Sequence, residues 1–166
     1  MKRRQLLLGA LALGATPFLA SRVISSEMST SNGSASNVAR IIKNNEEWRQ
    51  ILTSEQYYVL RDEGTEKPFS SPLNDEKRDG TFVCAACENP LFSSTMKFDS
   101  GTGWPSFFTT IPAAIETKTD FKLIYPRTEY HCAKCGGHQG HVFKDGPEPT
   151  GQRWCNNGVA LKFIPV

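Results

Sequence analysis

Five cysteines divide four to one, and that division limits what the chain can fold into. Cys84 and Cys87 make one C-x-x-C pair, and Cys132 and Cys135 make a second after 44 intervening residues. Two such pairs supply the four thiolates of a closed tetrahedral zinc site, which obliges two distant loops to meet. A zinc with four thiolate ligands has no open position, so the reading is a structural metal. The alternative is two short disulfides, which would constrain little chain. Cys155 lies outside both pairs, in Arg153-Trp-Cys-Asn-Asn157. A lone thiol among polar neighbours is either a nucleophile or an inert small residue on a strand.

The 166 residues suffice for one ordinary domain and a tail. A domain's net stability is about 5–15 kcal/mol, and a structural zinc can contribute roughly 10–16 kcal/mol of apparent binding free energy. Loss of one zinc ligand is therefore expected to unfold the domain. The formal net charge is +2, from 19 basic and 17 acidic residues. Lys2, Arg3 and Arg4 account for three of the basic ones, leaving 16 against 17 in the body. A near-neutral body argues against a nucleic-acid or membrane-surface binder.

Residues 1–20 read as a signal peptide. A basic start (Met1 to Arg4) precedes a largely apolar run (Leu6 to Ala20) too short for a comfortable membrane span. Arg3-Arg4 followed by Gln-Leu-Leu-Leu resembles a twin-arginine export signal, and a general secretion signal is the alternative. Phe18 disfavours cleavage after Ala20, so an uncleaved membrane anchor stays open. The expected location is periplasmic or an equivalent exported lumen. The twin-arginine route carries folded proteins, which would let the metal load before the thiols meet an oxidant. Residues 21–40 are rich in Ser and Asn and read as a flexible linker to a domain over 41–166.

Asn44 or Asn45 is expected to cap a short helix over 46–52. Thr53 or Ser54 should start a second over 55–62, ended by Gly64. Trp48, Ile51, Leu52 and Leu60 are expected core contacts. From Lys67 on, Pro, Gly and Asp punctuate short β-like runs at 80–84, 114–121, 127–132, 140–143, 153–155 and 159–164. The fold class is mainly β, in two antiparallel sheets with short N-terminal helices. Phe82, Phe92, Phe98, Phe107, Phe108, Phe121, Phe143 and Phe163 are expected in the core.

On an extended strand, Arg153, Cys155 and Asn157 face the same way. A cation beside a thiol favours the thiolate, and Asn157 can donate a hydrogen bond to a substrate or water. His138 and His141 have metal-like spacing, but four thiolates already fill the shell. The two histidines are then free for proton transfer, or simply pack in a loop. His131 reads as incidental. Trp104, in a tight turn with Gly101, Gly103 and Pro105, either walls an apolar pocket or packs.

Three ordered blocks resemble the signature of the methionine-R-sulfoxide reductase family: Phe98-Asp-Ser-Gly-Thr-Gly-Trp-Pro-Ser-Phe107, Gly140-His-Val-Phe143 with Asp145-Gly-Pro147, and Arg153-Trp-Cys-Asn-Asn157. Both C-x-x-C pairs fall where zinc-binding members carry theirs, and the resemblance spans roughly residues 44–165. It implies two antiparallel sheets with a structural zinc away from the active site. It implies that Cys155 attacks the sulfur of methionine R-sulfoxide, in proteins or free, and becomes a sulfenic acid, in a role repairing oxidatively damaged proteins. Trp104 would face the sulfoxide methyl, His138, His141 and Asn157 would surround its oxygen, and Arg153 and Asp145 would set the charge near the thiolate. Thr102 stands where many members carry a resolving cysteine. An external thiol, thioredoxin-like or small, would then reduce the sulfenic acid. Gln139, Asn156 and Gly158 also depart from the commoner Leu, Ile or Val, and Ser. A monomer is expected. The rival classes are a zinc module that displays a binding surface, which predicts a basic stripe or exposed aromatic set, and a non-catalytic disulfide module, which predicts no zinc.

Overall fold

The computed structural model describes residues 39–166. The expected signal segment 1–20 and most of the expected linker, through residue 38, lie outside the described residues. Arg40, the last residue of the expected linker, is already held: its Nη2 donates to both carboxylate oxygens of Glu116, at 2.6 and 2.7 Å.

Two helices open the domain, α1 (Asn45–Ile51) and α2 (Ser54–Leu60). Both begin with reciprocal caps. Asn44 Oδ1 accepts from the Glu47 amide while the Glu47 carboxylate accepts from the Asn44 amide, and Thr53 and Gln56 repeat the arrangement. Seven-residue helices are not stable alone, so burial must hold them: Trp48 on α1, and Tyr57, Val59 and Leu60 on α2, are at most 4% exposed. Ile51, expected in the core, is exposed, while its neighbour Leu52 is buried. Gly64 does not supply the left-handed turn after α2. Glu63 does, at φ 54°, its carboxylate held by Lys118 and Lys122. Gly64 instead gives room: a Cβ there would lie 2.3 Å from the Tyr58 ring.

Nine strands follow: β1 (Gly80–Cys84), β2 (Pro90–Ser93), β3 (Lys97–Phe98), β4 (Ser106–Phe107), β5 (Ile115–Asp120), β6 (Arg127–Cys132), β7 (His138–Phe143), β8 (Arg153–Asn156) and β9 (Leu161–Pro165). They form two antiparallel sheets, ordered β2-β1-β9 and β3-β4-β8-β7-β6-β5. The expected strand over 159–164 starts two residues late, since Gly158–Ala160 forms a 3-10 turn. Aromatic rings join the sheets. Phe92 stacks on Phe107 at 3.9 Å between centroids, Phe82 meets Phe107 edge-on at 5.0 Å, and all three are fully buried. Phe121, expected with them, is 75% exposed, because it lies past the end of β5 in the connection to β6.

One irregularity sets up the site. Tyr130 pairs with Gly140, but His131 pairs with His138, which leaves Gln139 unmatched as a β-bulge. On a regular strand, residues three apart face opposite ways. The bulge brings His138 and His141 to the same face, their ring centroids 5.5 Å apart.

Candidate active site

Strand β8 lies between β4 and β7, and Cys155 on it pairs with Ser106 on one side and His141 on the other. The two strands close tightly here, since a Cβ at Gly140 would sit 1.9 Å from the Cys155 carbonyl oxygen. Cys155 opens into a cleft of about 120 Å³ whose walls include Trp104, His141, Phe143, Arg127, Thr65 and Asn157. Burial pushes the thiol above its ordinary pKa, and the Arg153 charge, with hydrogen bonds from Thr102 and Arg153, pulls the other way without prevailing. The resting group is thus a thiol poised beside a cation. Arg153 is itself fixed, donating from Nε and Nη2 to Asp145 at 3.0 and 2.9 Å and lying 4.4 Å over the Phe143 ring. Asp145 is held below the ordinary carboxylate range by that guanidinium.

The histidines differ in depth. His141 lines the cleft and donates from Nε2 to Asp120 Oδ2 at 2.7 Å. Burial lowers its pKa against the pull of Asp120, so it is neutral near pH 7. Asp120 sits well below the usual carboxylate range, held there by the Lys122 amide, His141 and Arg127. His138 does not line the cleft. It is buried behind His141, its Nδ1 donating to Glu129 Oε1 at 2.6 Å. Burial would raise the Glu129 carboxyl, but hydrogen bonds from His131 and His138 outweigh it and hold it at about 2. His131 is therefore not incidental: its Nδ1 reaches the other Glu129 oxygen at 3.0 Å. Glu129 and Asp120 were legible in principle, since strand parity places Glu129 on the same face as His131.

Asn157 lines the cleft, and its amide is partly engaged. Nδ2 donates to the Gln139 carbonyl at 2.9 Å, and Oδ1 accepts from the Glu66 amide at 3.0 Å. Its geometry is that of a brace for the nucleophile strand. Glu66 completes that brace, and no sequence motif singled it out. Its carboxylate accepts from the Gly158 and Val159 amides at 2.6 and 2.8 Å, and its carbonyl accepts from Trp104 Nε1 at 3.2 Å. One residue thus ties the cleft wall to the turn after Cys155.

The four remaining cysteines lie together on the other side of β7. Their sulfurs are all within 4.8 Å of one another, with Cys84–Cys135 at 3.7 Å and Cys87–Cys132 at 3.5 Å. A tetrahedral ion with metal–sulfur bonds of about 2.3 Å spaces its sulfurs about 3.8 Å apart, so the set fits a four-thiolate metal and not two disulfides. Gln139 connects this cluster to the catalytic strand. Its Nε2 donates to Cys84 Sγ at 3.4 Å, and its Oε1 accepts from Asn156 Nδ2 at 3.3 Å. Asn156 Oδ1 in turn accepts from the Tyr130 hydroxyl at 2.8 Å. Gln139, Asn156 and Tyr130 are all fully buried.

Residues 52–165 match the SelR domain family. The chain belongs to this family of methionine-R-sulfoxide reductases. It is 52% identical over 125 residues to the peptide methionine sulfoxide reductase MsrB of Methanosarcina mazei, covering 75% of this chain and 89% of that protein. It is 54% identical over 129 residues to MsrB of Pseudomonas putida, covering 76% and 96%. The chloroplastic peptide methionine sulfoxide reductase B1 of Arabidopsis thaliana is 50% identical over 118 residues, 70% of this chain and 58% of that protein. Among the described residues of this family member, one cysteine lies outside the four-sulfur cluster.

Proposed function

We propose that the protein reduces methionine R-sulfoxide to methionine, with Cys155 as nucleophile. The observation that carries this reading is the placement of a single unclustered thiol in a side-chain-sized cleft, with an indole on one wall, a carboxylate-held histidine directly across the strand pair, and Arg153 beside the sulfur. The Trp104 indole suits the sulfoxide methyl. Arg153 stabilises the thiolate that attacks the sulfoxide sulfur. His141, neutral with its Nε2–H held by Asp120, offers its unprotonated Nδ1 to take the Cys155 thiol proton and pass it to the departing oxygen, and His138, fixed by Glu129, supports it from behind. Oxygen passes to Cys155 as a sulfenic acid, and methionine leaves with its sulfur reduced by two electrons.

Thr102 lies near Cys155, at the position where a resolving thiol would stand. The cycle then closes through an external dithiol or two small thiols, which yield a disulfide and water and restore the Cys155 thiol. Zinc is the metal of the Cys84, Cys87, Cys132 and Cys135 site. The four thiolates would hold it and so join the β1–β2 and β6–β7 connections, where it would supply structure rather than chemistry. The chain acts as an exported monomer, sent out by its twin-arginine-like start.

The test is to incubate the purified protein with both sulfoxide epimers of a blocked methionine and dithiothreitol. Loss of the R epimer alone, abolished by Cys155→Ser, is the expected result. Consumption of the S epimer alone would overturn the assignment. Mass spectrometry during turnover should show no intramolecular disulfide to Cys155, and metal analysis should give one zinc per chain.

A further inference from the structure

The connection between β5 and β6 carries the largest run of exposed apolar side chains among the described residues. Phe121, Leu123, Ile124 and Tyr125 are 75, 58, 94 and 77% exposed. Scattered exposed apolar residues are ordinary, but four within five positions, rimmed by charged groups, mark an interaction surface. The base of this hairpin is rigid. Asp120 Oδ1 accepts from the Lys122 amide at 2.8 Å, and Asp120 Oδ2 accepts from Arg127 Nη2 at 2.6 Å. The same Oδ2 also accepts from His141 Nε2. Arg127 and His141 both line the Cys155 cleft. The apolar tip therefore begins where the cleft wall ends.

Size separates the two regions. At about 120 Å³ the cleft is well below the roughly 300 Å³ at which ordinary ligand pockets start, so it admits one side chain and leaves the backbone that carries it outside. That backbone must cross the rim. A six-residue tip of three residues out and three back projects about 10 Å beyond the Asp120–Arg127 pair at about 3.3 Å per residue. An extended polypeptide with its oxidised methionine at Cys155 thus lays its side chains two to four positions away against Phe121–Tyr125.

We infer that this hairpin tip is a docking surface for apolar polypeptide flanking an oxidised methionine. The inference rests on the reductase reading. Charge selects this occupant over an anionic lipid surface: Lys122, the tip's one cation, is bound to Glu63 at 2.7 Å, leaving the patch apolar and uncharged.

The test compares three R-sulfoxide substrates: a blocked single methionine, a nonapeptide with Leu, Val and Phe around the central residue, and one with Ser and Asn there. The enzymes are the wild type and a Leu123→Ser, Ile124→Ser double variant. The wild type should turn over the apolar peptide with a kcat/KM at least tenfold above the polar one. The double variant should lose that advantage while keeping the blocked methionine rate. Equal losses on all three substrates, or an undiminished apolar preference, would overturn the inference. So would loss of binding to phosphatidylcholine–phosphatidylglycerol vesicles with peptide kinetics unchanged. No turnover of the blocked methionine by the wild type would overturn the reductase reading itself.

Discussion

Gln139 and Asn156 are polar, fully buried and hydrogen-bonded to each other in the core. Their energies should therefore be coupled, and a double-mutant cycle measures the coupling. Asn156→Val strands two buried groups, the Tyr130 hydroxyl and Gln139 Oε1. At about 1–3 kcal/mol for each orphaned polar group, a loss of about 3–5 kcal/mol is expected. Gln139→Leu costs less, about 1 kcal/mol, since Asn156 Nδ2 keeps the Asn157 carbonyl at 2.8 Å and leucine adds apolar contact. In the double variant Gln139 Oε1 no longer exists to be stranded, so the combined loss should fall short of the sum by about 1–2 kcal/mol. Adding Tyr130→Phe removes the last orphaned hydroxyl and should recover a further part. Urea unfolding of the zinc-loaded protein, followed by tryptophan fluorescence, gives each value. Losses that add within about 0.5 kcal/mol would refute the idea that the two side chains act as one unit.

Glu66→Ala strips the partners from two backbone amides and should cost about 2–4 kcal/mol, seen as a melting temperature roughly 10 °C lower, with Glu66→Gln intermediate. Burial lifts the Glu66 carboxyl above its ordinary 4.5 against the pull of those amides. Its contribution should be fullest below pH 4.5 and shrink as the pH rises through the lifted value, a trend that Glu66→Gln abolishes in a pH series of unfolding midpoints. Cys87→Ser removes one ligand of a site whose binding free energy, roughly 10–16 kcal/mol, rivals the net stability of a domain, so circular dichroism should show an unfolded or expanded chain with no bound zinc. Alkylation of Cys155 by iodoacetamide, tracked on its own peptide, should still be accelerating above pH 9, and Arg153→Met should shift that curve to higher pH; an unshifted curve would remove Arg153 from the thiol's surroundings.

The two caps were legible because capping chemistry is local: Asn44 with Glu47 and Thr53 with Gln56 need no tertiary partner. So was the four-sulfur cluster, whose spacing announces it. Parity brought out Arg153 with Cys155, but could not show that burial outweighs the cation at the thiol, a quantity that depends on everything packed around it. Phe121 misled because an aromatic in a β-like run looks the same whether the strand continues or turns. Glu66 left no local signal, as its partners lie some 90 residues on in sequence. Asn157, expected as a substrate donor from its position, also gives one Nδ2–H to the Gln139 carbonyl and accepts from the Glu66 amide, contacts that only the closed fold reveals.

The extra residue in β7 makes that strand a two-sided lever. Gln139 reaches toward Cys84 while His141, two residues on, pairs with Cys155 and His138 lies behind it on Glu129. Stripping the ion from one side would slacken the segment that aims the imidazoles on the other. A chelated sample would then lose proton delivery before its backbone came apart, and deleting a single amino acid at this point would turn His138 away from its partner while leaving every sulfur in place.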